Sequence, residues 1–133
     1  LQLKRLSRDF KLPVIGISSF NRDNYNNAVS MASFKESGAI EYSSDVLIGL
    51  QFSKQREADE RNRNKKPNEP RSIVDVDEEK DKNPRLLELK VLKNRNGATG
   101  GGIDYEYYPL FNHFVETGHV DKKSKEPAYK LTF

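Results

Sequence analysis

The sequence predicts an α/β fold in which buried parallel strands are followed by an antiparallel hairpin. Two short, almost wholly apolar runs, residues 13–18 (PVIGIS) and 45–52 (DVLIGLQF), have the pattern of strands covered on both faces. A polar connection with a helix-start signal separates them, as in a parallel crossover. Asn96-Gly97 stands between residues 86–92 and the alternating run 103–108, the pattern of two strands closed by a tight turn.

Each element has its own local cause. Leu3, Leu6 and Phe10 recur at helical spacing with Lys4, Arg5 and Arg8 between them, so residues 1–11 read as an amphipathic helix. Pro13 limits it, because the residue before proline is pushed out of the helical region. Residues 19–32 are polar and read as a loop. Ser33 and Glu36 have capping-box spacing, so a helix is expected over residues 33–44, with Gly38 weakening it. Residues 53–85 change character. Residues 54–71 hold seven Lys/Arg and four Asp/Glu, and residues 72–82 hold two Lys and five Asp/Glu. So polar a stretch, broken by three prolines, cannot bury enough apolar surface to fold alone and reads as a mobile insertion, with a short edge strand at residues 72–76. Residues 109–116 supply Leu110, Phe111, Phe114 and Val115 as a cap for the core, and residues 117–133 form a C-terminal tail. The folded unit is expected to be residues 1–116.

Only 35% of the residues are apolar and mean hydropathy is -0.85, lean for a self-sufficient core. Either much of the chain is solvated loop or part of the core comes from elsewhere. With no cysteine, disulfides and thiolate metal sites are excluded. No apolar stretch approaches the length of a membrane span, and no signal-peptide core opens the chain, so a cytoplasmic protein without membrane contact is expected. The net charge of +3 is too small an excess to identify a polyanionic partner unaided.

Three segments carry candidate chemistry: Ser18-Ser19-Phe20-Asn21-Arg22, Phe34-Lys35-Glu36-Ser37-Gly38-Ala39-Ile40-Glu41 and Leu92-Lys93-Asn94-Arg95-Asn96-Gly97. The first follows the carboxyl end of an apolar strand, where ligands of open α/β sheets bind. The second offers a lysine for a phosphate and a glycine for close backbone approach, contacts without sequence preference. In the third, Lys93 and Arg95 lie two apart before a tight turn and would project on one face. Blander readings are a polar strand-end turn, a helix cap with a solvated lysine, and a basic sheet edge that discourages aggregation.

In order and spacing these segments resemble the downstream motifs of the DnaB-type replicative DNA helicases, over residues 1–52 and 86–114. The resemblance implies a partial RecA-like, P-loop NTPase-type sheet. It further implies nucleotide sensing by Ser19 and Arg22, single-stranded DNA binding by Lys35, Glu36 and Gly38, and a trans-acting catalytic finger of Lys93 and Arg95. Ser19 departs from the family, which usually has Gln there. The intact protein would then be an ATP-dependent helicase using ATP and Mg2+. It would act as a hexameric ring on single-stranded DNA, with primase and a helicase loader as further partners. No G-x-x-x-x-G-K-[ST] phosphate loop occurs, and Gly100, Gly101 and Gly102 precede a strand rather than a helix. The chain alone is therefore expected to bind no cofactor and hydrolyse nothing. Its strand at residues 13–18 would normally adjoin the phosphate-loop strand. That edge is expected to be covered by a second copy, by an exchanged element or by rearrangement. Two other functions fit the residues: a non-motor single-stranded-DNA-binding module, or a catalytically degenerate RecA-like scaffold or loader.

The remaining patterns have ordinary explanations. Asp75, Asp77, Glu79 and Asp81 alternate like calcium ligands, but Lys80 and Leu86 occupy positions where such a loop needs Gly and Glu. No metal site is expected. His113 and His119 have no ligand-spaced partner. Tyr105, Tyr107 and Tyr108 are explained by strand packing more simply than by base stacking.

Overall fold

The computed structural model describes residues 2–20 and 25–120, with the backbone alone for 35–37 and 120. Helix α1 spans Gln2–Phe10. It ends where Lys11 turns left-handed (φ 51°), letting the Leu12 amide donate to the Ser7 carbonyl at 3.1 Å, a Schellman-type closure just before Pro13. No residue of α1 is buried.

Residues 12–20 have no regular secondary structure, and Ile15 and Ile17 are 91% and 98% exposed. The strand expected at 13–18 does not form, and the expected parallel pair is replaced by an antiparallel sheet. An apolar run becomes a strand only beside a ladder partner, and this run has none among the described residues. The chain next enters a 3₁₀ segment, Met31–Ser37, and helix α2, Gly38–Ser43. The start signal is Ser30 with Ser33, not Ser33 with Glu36: the Ser30 amide donates to the Ser33 hydroxyl at 3.1 Å.

Strand β1 (Val46–Phe52) leads through α3 (Ser53–Arg63) and α4 (Val76–Lys80) to β2 (Arg85–Asn94). Strand β3 (Gly102–Tyr108), a 3₁₀ turn and β4 (His113–Val120) follow. The four strands form one antiparallel sheet in sequence order. The expected β2–β3 hairpin is present. β4 occupies residues read as a core cap and the start of the tail, and the rest of the tail, 121–133, lies outside the described residues. The expected edge strand at 72–76 is instead irregular chain leading into α4.

The stretch read as a charged insertion packs through polar contacts. Glu79, 4% exposed, pairs with Lys54 at 2.7 Å and also with Lys82. Those cations hold its carboxyl below the ordinary range, outweighing burial, which is the largest single influence and acts the other way. The Asn62 side chain bonds the Ser72 backbone at both ends, and Asp75 caps α4 by accepting from the Asp77 and Glu78 amides.

Strand β1 alternates in burial: Leu47, Gly49 and Gln51 face inward, while Val46, Ile48 and Leu50 remain about half exposed. Val29, Phe34 and Leu47 form the core cluster, with Phe20, Met31, Ile40 and Leu92 against it. Glu88, 2% exposed, accepts from Gln51 at 2.5 Å and lies 3.4 Å from Arg56, which also bonds Asp104 at 2.8 Å. Among the described residues no helix is long and apolar enough to cross a membrane.

Candidate functional site

The site is assembled at the corner where α2 meets β1. Beyond Val91, β2 parts from β3 and continues along β1 alone, so Leu47 faces Lys93 and Val46 faces Asn94. This carries both candidate finger cations to the end of α2. The Lys93 ammonium donates to the Glu41 carbonyl at 2.6 Å. The last carbonyls of a helix lack intrahelical donors, and a cation is favoured there. The Arg95 amide donates to the Asp45 carbonyl at 2.9 Å, and its guanidinium meets the Asp45 carboxylate at 2.6 Å. Lys4 of α1 approaches the same carboxylate at 3.4 Å. The two cations reach back to their own chain.

The backbone of Lys35 and Glu36 lies in the 3₁₀ segment, and Gly38 opens α2. Nothing among the described residues requires a glycine there. Its φ is -48°, an ordinary helical value, and an added Cβ would meet only Tyr42, at 3.9 Å. The structure thus joins the second and third motifs through α2. Ser19 lies in the irregular exposed segment, next to Phe20, whose ring meets Phe34 of the second motif edge-on at 5.2 Å, and Arg22 lies outside the described residues. Phe20 lines a cleft of about 410 Å3 with Tyr25, Phe52, Leu87, Tyr107 and Phe114.

Glu41 closes the second candidate segment and Asp45 opens the second apolar run, but sequence reasoning gave neither a role, and they hold the two cations. The signal for Asp45 was present, a carboxylate at the mouth of an apolar strand, but its partner lies fifty positions away. Gln51 stands as a polar residue inside an apolar run, but nothing in the mixed sequence of β2 marks Glu88 as its buried partner.

The other candidates resolve simply. Tyr107 stacks on its cross-strand neighbour Phe114 with centroids 4.4 Å apart, and Tyr105 meets the same ring edge-on at 6.1 Å. His119 pairs with Glu116 at 3.1 Å. No group of residues among those described could hold a metal ion. Gly102 opens β3, so the glycine run precedes a strand as the sequence suggests.

An α/β chain with a basic hairpin strand tied to a glycine-headed helix is the class this geometry defines. The family model of the DnaB-like helicase C terminal domain matches residues 1–116, and the chain belongs to that family. It is 26% identical over 113 residues to the replicative DNA helicase DnaB of Treponema pallidum (strain Nichols), a match covering 85% of this chain and 19% of that relative. No solved structure matches it.

Proposed function

We propose that this chain is part of an ATP-dependent replicative DNA helicase. It supplies a surface for one DNA strand and a pair of cations for a nucleotide held by a neighbouring subunit. Family membership and the likeness to a replicative helicase support this reading. The observation that carries it is the corner itself, where Lys93 and Arg95 meet the helix that Gly38 heads. A glycine that neither backbone angle nor packing demands suits close approach by a phosphodiester backbone, with Lys35 and Glu36 beside it. Ser19 and Arg22 would sense the nucleotide from the far end of residues 12–22.

The chain's own residues do not fit a nucleotide and its magnesium, since no phosphate-loop motif occurs and its glycine cluster opens a strand. ATP and Mg2+ would be held by residues outside these 133, and the chain alone would not hydrolyse ATP. Lys93 and Arg95 contribute positive charge and donors where phosphate charge develops. To act on a neighbour, Arg95 must exchange Asp45 for a phosphate. Residues 13–18 would become a strand of a RecA-like sheet once a partner strand lies beside them. A trans-acting finger requires a neighbouring subunit, and the family likeness makes a hexameric ring the proposed assembly, with primase and a loader as further partners. A dimer or swapped assembly is the counterpart for the chain alone.

Arg95→Ala in the intact protein is expected to lower ATP turnover on the order of a thousandfold, as removal of arginine fingers does, while nucleotide binding persists. Steady-state hydrolysis alongside equilibrium nucleotide binding measures both. Unchanged turnover removes the finger from the proposal.

A further inference from the structure

We infer that Asp45 is a positioning residue that links the DNA-facing segment to the finger. This rests on the functions proposed above for residues 35–38 and for Lys93 and Arg95. Helix α2 runs from Gly38 to Ser43, and its bonding continues one residue further, with the Ser44 amide donating to the Ile40 carbonyl at 3.1 Å. Asp45 follows directly. One short, internally bonded piece of backbone therefore has the DNA-facing glycine at one end, the Lys93 anchor Glu41 in its middle and the Arg95 anchor Asp45 at the other end.

Three tethers join that piece to β2 and to the residue that follows it. Lys93 holds the Glu41 carbonyl, the Arg95 amide holds the Asp45 carbonyl, and the Arg95 guanidinium holds the Asp45 carboxylate. Two are backbone acceptors that no side-chain change at position 45 removes. The third is a carboxylate reached through Nη1 at 2.6 Å, leaving other guanidinium donors for a phosphate. The pair is open to water, with side chains 49% and 60% exposed, so it is a contact that can be exchanged. Lys4 at 3.4 Å remains to occupy the carboxylate when Arg95 leaves. Displacement of Gly38 by a bound phosphate would move Asp45 and, with it, the resting position of Arg95.

The test uses this chain titrated with a short oligothymidylate, following the Gly38 amide and the Arg95 Nε–H by NMR. In the native chain both signals are expected to shift along one binding curve. In Asp45→Asn, Gly38 is expected to shift while Arg95 stays still, and Asp45→Glu restores the Arg95 response. Unmoved Val29 and Leu47 signals would establish that the variants keep the fold. An Arg95 response in Asp45→Asn equal to the native one overturns the inference, as does an Arg95 signal that never moves although Gly38 does. A Gly38 signal untouched at saturating oligonucleotide removes the DNA-facing assignment and the inference with it. In the intact protein, Asp45→Asn is expected to lose DNA stimulation of ATP turnover, a change on the order of fivefold or more. Retained stimulation counts against Asp45 even if Arg95→Ala abolishes turnover.

Discussion

At the scale of single residues, much of this protein is held by polar groups. Glu79 is the clearest case. Its folded carboxyl keeps its charge to lower pH than an unfolded one, because Lys54 and Lys82 together outweigh the burial that would raise it. The unfolded state therefore binds the extra proton first as pH falls. Stability from this site is fully present above the ordinary glutamate range and is lost as pH drops through the folded value. Glu79→Gln should cost on the order of 1 kcal/mol at neutral pH, and that deficit should shrink in acid. Urea unfolding of both proteins at several pH values checks it; a deficit constant with pH would mean that the charge is irrelevant. Lys54, held above its ordinary range chiefly by its bond to Glu79, retains its charge throughout.

At the scale of elements, legibility tracks whether a segment carries its own pattern. β1, β2 and β3 were readable because their apolar residues recur where a sheet needs them. α3 was not, since its buried residues are Ser53, Gln55 and Ala58, which leave no apolar stripe. Its exposed face instead uses i,i+4 pairs, Arg61 with Glu57 and Arg63 with Asp59. β4 was missed because its place is set across strands by Phe114 on Tyr107, and by Asn112 turning left-handed at φ 47°. Residues 13–18 had the pattern but no partner strand among the described residues. The candidate cations were legible in sequence, whereas their anchors depend on β2 folding back along β1. Gly49 of β1 is a close approach to the irregular chain before the 3₁₀ segment: an added Cβ would lie 2.5 and 2.8 Å from the Val29 methyls. Val29 is 2% exposed and its amide donates to Gln51, so it has little room to yield. Gly49→Ala should destabilise by about 1–3 kcal/mol, the usual cost of overpacking. Adding Val29→Ala should recover part of that loss in a double-mutant cycle. Additive losses in thermal unfolding would mean the clash is relieved elsewhere.

At the scale of the whole molecule, a small positive excess must be concentrated to be useful. The net charge of +3 is the remainder of 23 basic and 20 acidic residues, and many basic groups are already paired. Arg56 is committed to Asp104 and Glu88, while Lys93 and Arg95 are tied to the α2–β1 corner. A DNA strand held at the proposed contact by Lys35 beside Gly38 would displace few counterions, so affinity should fall only gently as salt rises. Each phosphate contact on a single strand contributes about 0.7 to the slope of log K against log salt. Lys35→Ala should therefore reduce that slope by about 0.7 and weaken binding evenly across sequences. Fluorescence anisotropy with oligothymidylate and a mixed-sequence strand, over a salt series, measures both effects. A much steeper slope, untouched by Lys35→Ala and indifferent to nucleotide in the intact protein, would point to the basic residues of 54–71. The chain would then be a charge-driven binding module rather than part of a motor. The two outcomes separate because a motor needs its DNA contact beside the corner that holds Arg95, whereas a passive binder can place its cations anywhere on the surface.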